Sequence, residues 1–234
     1  MLRLMKIEWK RNNLAGYSIR AVISMMIIFG MVAGMAVMSN AQDEPMFLDF
    51  TAFMSLANIF IRVTFVVFSG IIISRLVIDE YKNKTIQLLF TYPIQRKKVM
   101  QAKLMIVLVF CFTCLVISTF IIEVLTVLLN PAAHFFETAA SKEDVLATFP
   151  AILMASAMTA GLSLIPLSFG MRKKSTATTI TSSVILGILL NSMISDGSSS
   201  VSMFQFIGVP IVFCLLGLAL AYLSYRKIDR TDVA

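Results

Sequence analysis

Residues 50–74 read FTAFMSLANIFIRVTFVVFSGIIIS, residues 79–103 read DEYKNKTIQLLFTYPIQRKKVMQAK, and residues 104–122 read LMIVLVFCFTCLVISTFII. The first and last runs are apolar over about the 20 residues a helix needs to cross a bilayer's hydrocarbon layer. The middle run mixes charge with Ile86, Leu89, Phe90 and Pro93. This pattern predicts two membrane helices joined by a structured connection. It places the chain in the all-α, integral-membrane class.

The same apolar window recurs on both sides. Ala21 to Gln42 precedes it, and Val145 to Met171, Ser175 to Ser195 and Gly197 to Tyr225 follow. With Phe50 to Ser74 and Leu104 to Ile122, the latter reaching Leu129 if Glu123 is tolerated, the expectation is six transmembrane helices. They form a single domain over residues 1–234, with no stretch left for a separate soluble one. Composition agrees: 58% of the 234 residues are hydrophobic and 14% charged, against roughly 25% charged in a soluble domain. So little polar surface excludes a water-soluble globule. So high an apolar content excludes disorder, and three cysteines exclude a disulfide scaffold.

The net charge of +7 is an orientation signal rather than a nucleic-acid footprint. Arg3, Lys6, Lys10, Arg11 and Arg20 precede the first span. Arg75, Lys82, Lys84, Arg96, Lys97, Lys98 and Lys103 lie between the second and third. Arg172, Lys173 and Lys174 separate the fourth and fifth, and Arg226, Lys227 and Arg230 follow the sixth. In a six-span layout all of these fall on one side. The other side carries Lys142 and the acids Asp43, Glu44, Asp49, Glu137, Glu143, Asp144 and Asp196. The excess of Lys and Arg marks the cytoplasmic side, so both termini are expected there. The first apolar stretch exceeds the 7–15 residues of a signal peptide's core and is read as a retained span.

Two segments outside the spans carry a pattern. Within residues 1–17, Leu2, Met5 and Trp9 share one helical stripe and Lys6 and Lys10, with Arg3, a neighbouring one. That predicts an amphipathic helix on the inner membrane surface, with Trp9 at headgroup depth. In the second segment, Ile86, Leu89, Phe90 and Pro93 form one apolar side of a short helix, which Pro93 ends or kinks. A helix with apolar and charged faces, held in the cytoplasm between two spans, is suited to docking a soluble partner. A surface-lying linker with basic lipid contacts is the plainer alternative.

Motifs for chemistry are missing. There is no phosphate-binding loop of the G-x-x-x-x-G-K-[ST] type, no H-E-x-x-H and no nucleophile elbow. His134 beside Glu137 falls short of the three or four ligands a zinc site needs. Cys111-Phe112-Thr113-Cys114 lacks the βαβ setting of a redox motif and reads, with Cys214, as small apolar packing. Intramembrane acids for an ion relay are nearly absent, Glu123 excepted. Arg62 lies about 16 Å into the second span at 1.5 Å per residue. It lines a path, forms an ion pair with a neighbouring chain or simply hydrogen-bonds carbonyls, and Glu123 is one candidate partner. Pro150, Gly161 and Pro166 predict kinks in the fourth span. The hydroxyl-rich fifth span, Ser175 through Ser183, either packs closely or lines a polar path. A membrane protein with a docking segment and no engine of its own points to energy supplied by a partner.

Residues 79–103 resemble the cytoplasmic connection of type-2 ABC exporter permeases. In that family an acid precedes a coupling helix with Thr and a Leu pair, followed by Pro, Arg and a Lys that opens the third span. The matching positions are Glu80, Thr85, Leu88-Leu89, Pro93, Arg96 and Lys103, with Lys84 where Gly is frequent. The stretch Glu80 to Thr85 is similar to small bacterial permeases for peptide export or immunity. The resemblance implies that residues 79–92 are a coupling helix, with Asp79, Glu80, Tyr81, Lys82, Thr85, Ile86, Leu88, Leu89, Phe90, Pro93 and Arg96 facing an ATPase. It implies that residues 1–17 are a connecting helix beside it, through Leu2, Met5, Lys6, Trp9 and Lys10. Two ATPase subunits, holding the ATP and Mg, would dock beneath a permease homodimer, and this chain would bind no cofactor itself. The expected function is export of amphipathic peptides across a bacterial cytoplasmic membrane, through a path near Arg62 and Glu123. Drugs, lipids or glycoconjugates are the alternative cargo. A sensor or scaffold that transports nothing is the alternative class.

Overall fold

The computed structural model describes residues 5, 9, 15–41, 47, 49–82, 96–133, 135, 142–173, 175–192 and 208–226. Every regular element among them is helical. They are α1 (Ala15–Asn40), α2 (Phe50–Ile73), a π-helical turn (Ser74–Ile78), α3 (Asp79–Lys82), α4 (Arg96–Ala133), α5 (Lys142–Leu162), α6 (Ile165–Lys173), α7 (Thr176–Ser192) and α8 (Gly208–Arg226).

Four stretches are long and apolar enough to cross a membrane: Gly16–Asn40, Phe50–Ile78, Lys98–Pro131 and Thr148–Lys173. They are the first four expected spans. α7 and α8 are shorter apolar helices at the positions of the fifth and sixth. The chain is a multi-pass membrane protein. α4 has 38 residues, about 57 Å at 1.5 Å each, which exceeds a hydrocarbon layer of about 30 Å. Its basic first turns, Arg96 to Lys103, therefore project beyond the apolar slab.

The bundle is built from stripes. In α1 the buried positions are Tyr17, Ala21, Met25, Ile28, Val32 and Ala36, spaced by three or four residues. Ile19, Val22, Ile23, Met26 and Ile27 are exposed on the other side. A helix apolar all round that buries one stripe presents the rest to lipid. α2 sits centrally, packed against α7 and α4, while α8 packs on α5. Small residues set the closest approach: a Cβ on Gly70 would collide with Ser183 Oγ. In lipid, tight packing of this kind replaces the hydrophobic drive between helices.

The two ends of the bundle close differently. At the end holding the first turns of α2, aromatic rings cluster. Phe53 lies 5.3 Å from Phe47 and 5.5 Å from Phe135, and Phe135 lies 6.4 Å from Phe29, centroid to centroid. The end holding α3 is closed by charge.

Several expectations need correction. Ala15 to Tyr17, assigned to a surface helix over residues 1–17, open α1, and Tyr17 is buried in the core. The helix of the third span runs on through Glu123 to Ala133. Pro150 and Gly161 both lie inside α5, which is helical throughout. The fourth span breaks at Ser163–Leu164, where Pro166 follows in the first turn of α6. Residues 79–82 continue helically from α2 through the π-helical turn, and residues 83–92 of the expected coupling helix lie outside the described residues.

Candidate functional site: the ion latch between the second and third spans

The π-helical turn inserts an extra residue at the end of the second span. The Asp79 N–H donates to Ser74 O, five residues back. Such a turn disturbs the regular pairing of carbonyls with amides and is frequent at functional sites. One of its carbonyls takes a donor from another helix: Lys103 Nζ donates to Leu76 O at 2.8 Å. The same ammonium forms an ion pair with Glu80 Oε2.

Lys103 is 3% exposed and the Glu80 side chain 14%. A charge this well buried must be paired and hydrogen-bonded. Lys103 gains both from one short stretch, a carbonyl of the π-helical turn and a carboxylate one helical turn later. The result ties the end of the second span to the start of the third. Arg75 and Lys98 stay exposed nearby. The tie stands at the mouth of residues 83–95. Thr85, Ile86, Leu88, Leu89, Phe90 and Pro93 fall in that stretch and lie outside the described residues. Tyr81, Lys82 and Arg96 are placed in helical backbone, and Asp79 is half-buried.

Of the expected connecting helix, Met5 and Trp9 are both helical. Leu2, Lys6 and Lys10 lie outside the described residues. The Trp9 ring sits 6.2 Å from Phe110, and Met5 packs against the main core. Trp9 thus rests on α4 about two turns from Lys103.

Farther along α4, Glu123 is buried, 3% exposed. Its Oε1 accepts from Thr148 Oγ1 at 2.8 Å, and among the described residues Oε2 has no hydrogen-bond partner. The pairing with Arg62 considered from sequence is therefore not formed: Glu123 is held by the fourth span. Arg62 is half-buried in α2. The hydroxyls of α7 are satisfied locally. Thr179, Thr181, Ser182 and Ser183 donate to carbonyls three or four residues back, at 2.7 to 3.1 Å. Thr179 and Ser183 are fully buried, which favours the packing reading over a polar path. Cys111, Cys114 and Cys214 are free thiols, and Cys111 Sγ lies 3.8 Å from Phe65 O. Among the described residues no cluster of His, Cys, Asp and Glu is fit to hold a metal.

Sequence reasoning named Glu80 and Lys103 separately, 23 residues apart, and missed that they meet. The available signal was a lone Lys at the edge of an apolar run, where a buried ammonium would need a carboxylate. Ser69 and Ser163 were also missed. They join the second and fourth spans through Ser69 Oγ, 3.2 Å from Ser163 O and 3.0 Å from Ser163 Oγ.

An all-helical membrane bundle with a latched connection between its second and third spans has the layout of a transport subunit. Residues 4–191 match the family model described as ABC-2 family transporter protein, and the chain belongs to that family. It is a membrane permease subunit of an ABC transporter. It is 32% identical to the Bacillus subtilis (strain 168) protein named "Uncharacterized protein YcbO", over 99% of this chain and all of that one. No solved structure matches.

Proposed function

We propose that this chain is the membrane-spanning subunit of an ATP-driven exporter of amphipathic or hydrophobic peptides. It would work as a homodimer of six-span subunits with both ends in the cytoplasm, above two separate ATPase subunits. The observation that carries this reading is the Glu80–Lys103–Leu76 tie, in a chain of the ABC-2 family. A buried ion pair between the ends of two spans converts a push on the segment between them into movement of both helices. A floppy linker would dissipate that push. Residues 79–92 would be the coupling helix seated on the ATPase, and the residues before α1 the connecting helix beside it. ATP and Mg would be bound by the partner. Membership in the family supports the ATPase partner. The lack of a phosphate-binding loop in this chain agrees with that division of labour.

The peptide cargo rests on the likeness of residues 80–85 to peptide-export permeases and on a Met-rich membrane domain, with 16 Met in the chain. Flexible thioethers accommodate varied apolar ligands. The test is purification of the tagged chain with its native neighbours, then ATPase assays in nanodiscs with amphipathic peptides or lipids added. An ATPase subunit stimulated by peptide is expected. Stimulation by lipid alone would move the cargo to lipids. No ATPase subunit, and no ATP-driven flux into inverted vesicles, would leave a non-transporting scaffold.

A further inference from the structure

The fourth span is interrupted where it meets the second. In an unbroken helix the Leu167 N–H would donate to Ser163 O, four residues back. It donates instead to Leu164 O at 3.1 Å, and the Leu164 N–H reaches only Gly161 O at 3.3 Å. Pro166 has no N–H to offer the Leu162 carbonyl. Ser163 O, deprived of its helical donor, lies 3.2 Å from Ser69 Oγ on α2. Ser163 Oγ in turn donates to Ala160 O at 2.8 Å. Backbone at membrane depth is allowed to leave the helix only where other groups satisfy it, and here the Ser69 hydroxyl of a neighbouring helix shares its one proton between Ser163 O at 3.2 Å and Ser163 Oγ at 3.0 Å.

The closest glycine approaches on either side of the break differ in partner, α7 beyond it and α8 before it, while α8 packs on both α5 and α6. Beyond it, a Cβ on Gly170 would collide with Thr179 Oγ1 of α7 and touch Ile78 Cδ1 of the π-helical turn at 3.0 Å. A Cβ on Gly70 of α2 would collide with Ser183 of the same α7. Before the break, a Cβ on Gly161 would collide with Cys214 Sγ of α8, and one on Gly217 of α8 with Gly161 O. Contacts this close bind helix pairs rigidly, because interiors at this density transmit displacement rather than absorb it.

We propose that Ser163–Leu164 is a pivot in the fourth span. α6, α7, the adjoining part of α2 and the latched π-helical turn form one rigid body, and α5 with α8 forms another; α8 also packs on α6, and α4 on both α2 and α5, so those contacts slide when the angle changes. Ser69 is the pin between them, a neutral hydroxyl that keeps Ser163 O satisfied while the two halves of the span change their angle. The pivot is a property of the bundle and does not depend on the cargo or the ATPase.

The test is pulsed dipolar spectroscopy on the full chain in nanodiscs, with Cys111, Cys114 and Cys214 replaced by Ala and labelled chain diluted with unlabelled. One pair, Met154→Cys with Phe169→Cys, spans the pivot. Phe169→Cys with Ile185→Cys reports the first body, and Met154→Cys with Leu216→Cys the second. All four sites are exposed. The cross-pivot distances should spread over several Å, on the scale of a helical ratchet of ~5 Å, while the other two stay narrow. Pro166→Ala, which restores an N–H to the span, should narrow the cross-pivot distribution, and Ser69→Ala should widen it. A cross-pivot pair as narrow as the other two, or one that Pro166→Ala leaves unchanged, would overturn the pivot.

Discussion

The second and fourth spans both depart from α-helical geometry, and they do so by opposite means. The second gains a residue, as a π-helical turn at Ser74–Ile78. The fourth loses hydrogen bonds, as a break at Ser163–Leu164. The irregular carbonyl of the second span, Leu76 O, is held by an ammonium that is also ion-paired. That of the fourth, Ser163 O, is held by a hydroxyl. The difference follows from position. The π-helical turn lies where α4 leaves the apolar slab, so a charged side chain can be brought in with its counter-ion. The break lies among apolar helices, where only a neutral donor is tolerable without a large desolvation cost. A charged tie is stiff and a hydroxyl tie yields, so the same bundle holds one rigid joint and one compliant one.

The contrast predicts a ranking of defects. Lys103→Met should be the most damaging change. It removes the Lys103 ammonium from both the Glu80 carboxylate and Leu76 O, and breaking a buried pair from one side costs about 3–5 kcal/mol. Denaturant titration in mixed micelles should show that loss, and Glu80→Gln should show less, because an amide still accepts from Lys103. If the two variants proved equally stable to wild type, the second span would have no stiff joint.

Gly70→Ala should come next. The added methyl meets Ser183 Oγ, and overpacking costs about 1–3 kcal/mol. Ser183→Gly in the same chain should recover most of it, which would identify helix approach rather than backbone conformation as the cause. Ser69→Ala should be the mildest, about 1 kcal/mol for one neutral hydrogen bond. Hydrogen exchange should localise its effect to the amides around Ser163. A loss from Ser69→Ala as large as that from Lys103→Met would erase the distinction between the two joints.

The fold was legible in the sequence because a bilayer forces long apolar runs and sorts the charges flanking them. Ala21 to Gln42 became α1, and Ser175 to Ser195 became α7, to within a few residues. The break in the fourth span was not, because three kink formers, Pro150, Gly161 and Pro166, were all in view. The carbonyl freed at the break, Ser163 O, meets Ser69, 94 residues earlier, a contact that no local pattern shows. The latch was half legible. Glu80 and Lys103 each stood out, but the π-helical turn that presents Leu76 O to Lys103 has no signature in Ser74-Arg75-Leu76-Val77-Ile78. Glu123 stood out as an acid in an apolar run, yet its partner Thr148 is one hydroxyl among many.

The central claim is that the Glu80–Lys103 tie carries the stroke of an ATPase into the membrane helices. The measurement that meets it most directly is the ratio of cargo moved to ATP hydrolysed by the whole complex in inverted vesicles, for wild type and Glu80→Gln at equal membrane levels. The account predicts that hydrolysis persists while flux falls about tenfold or more, on the order of 1.4 kcal/mol of lost coupling. A ratio unchanged from wild type would contradict it.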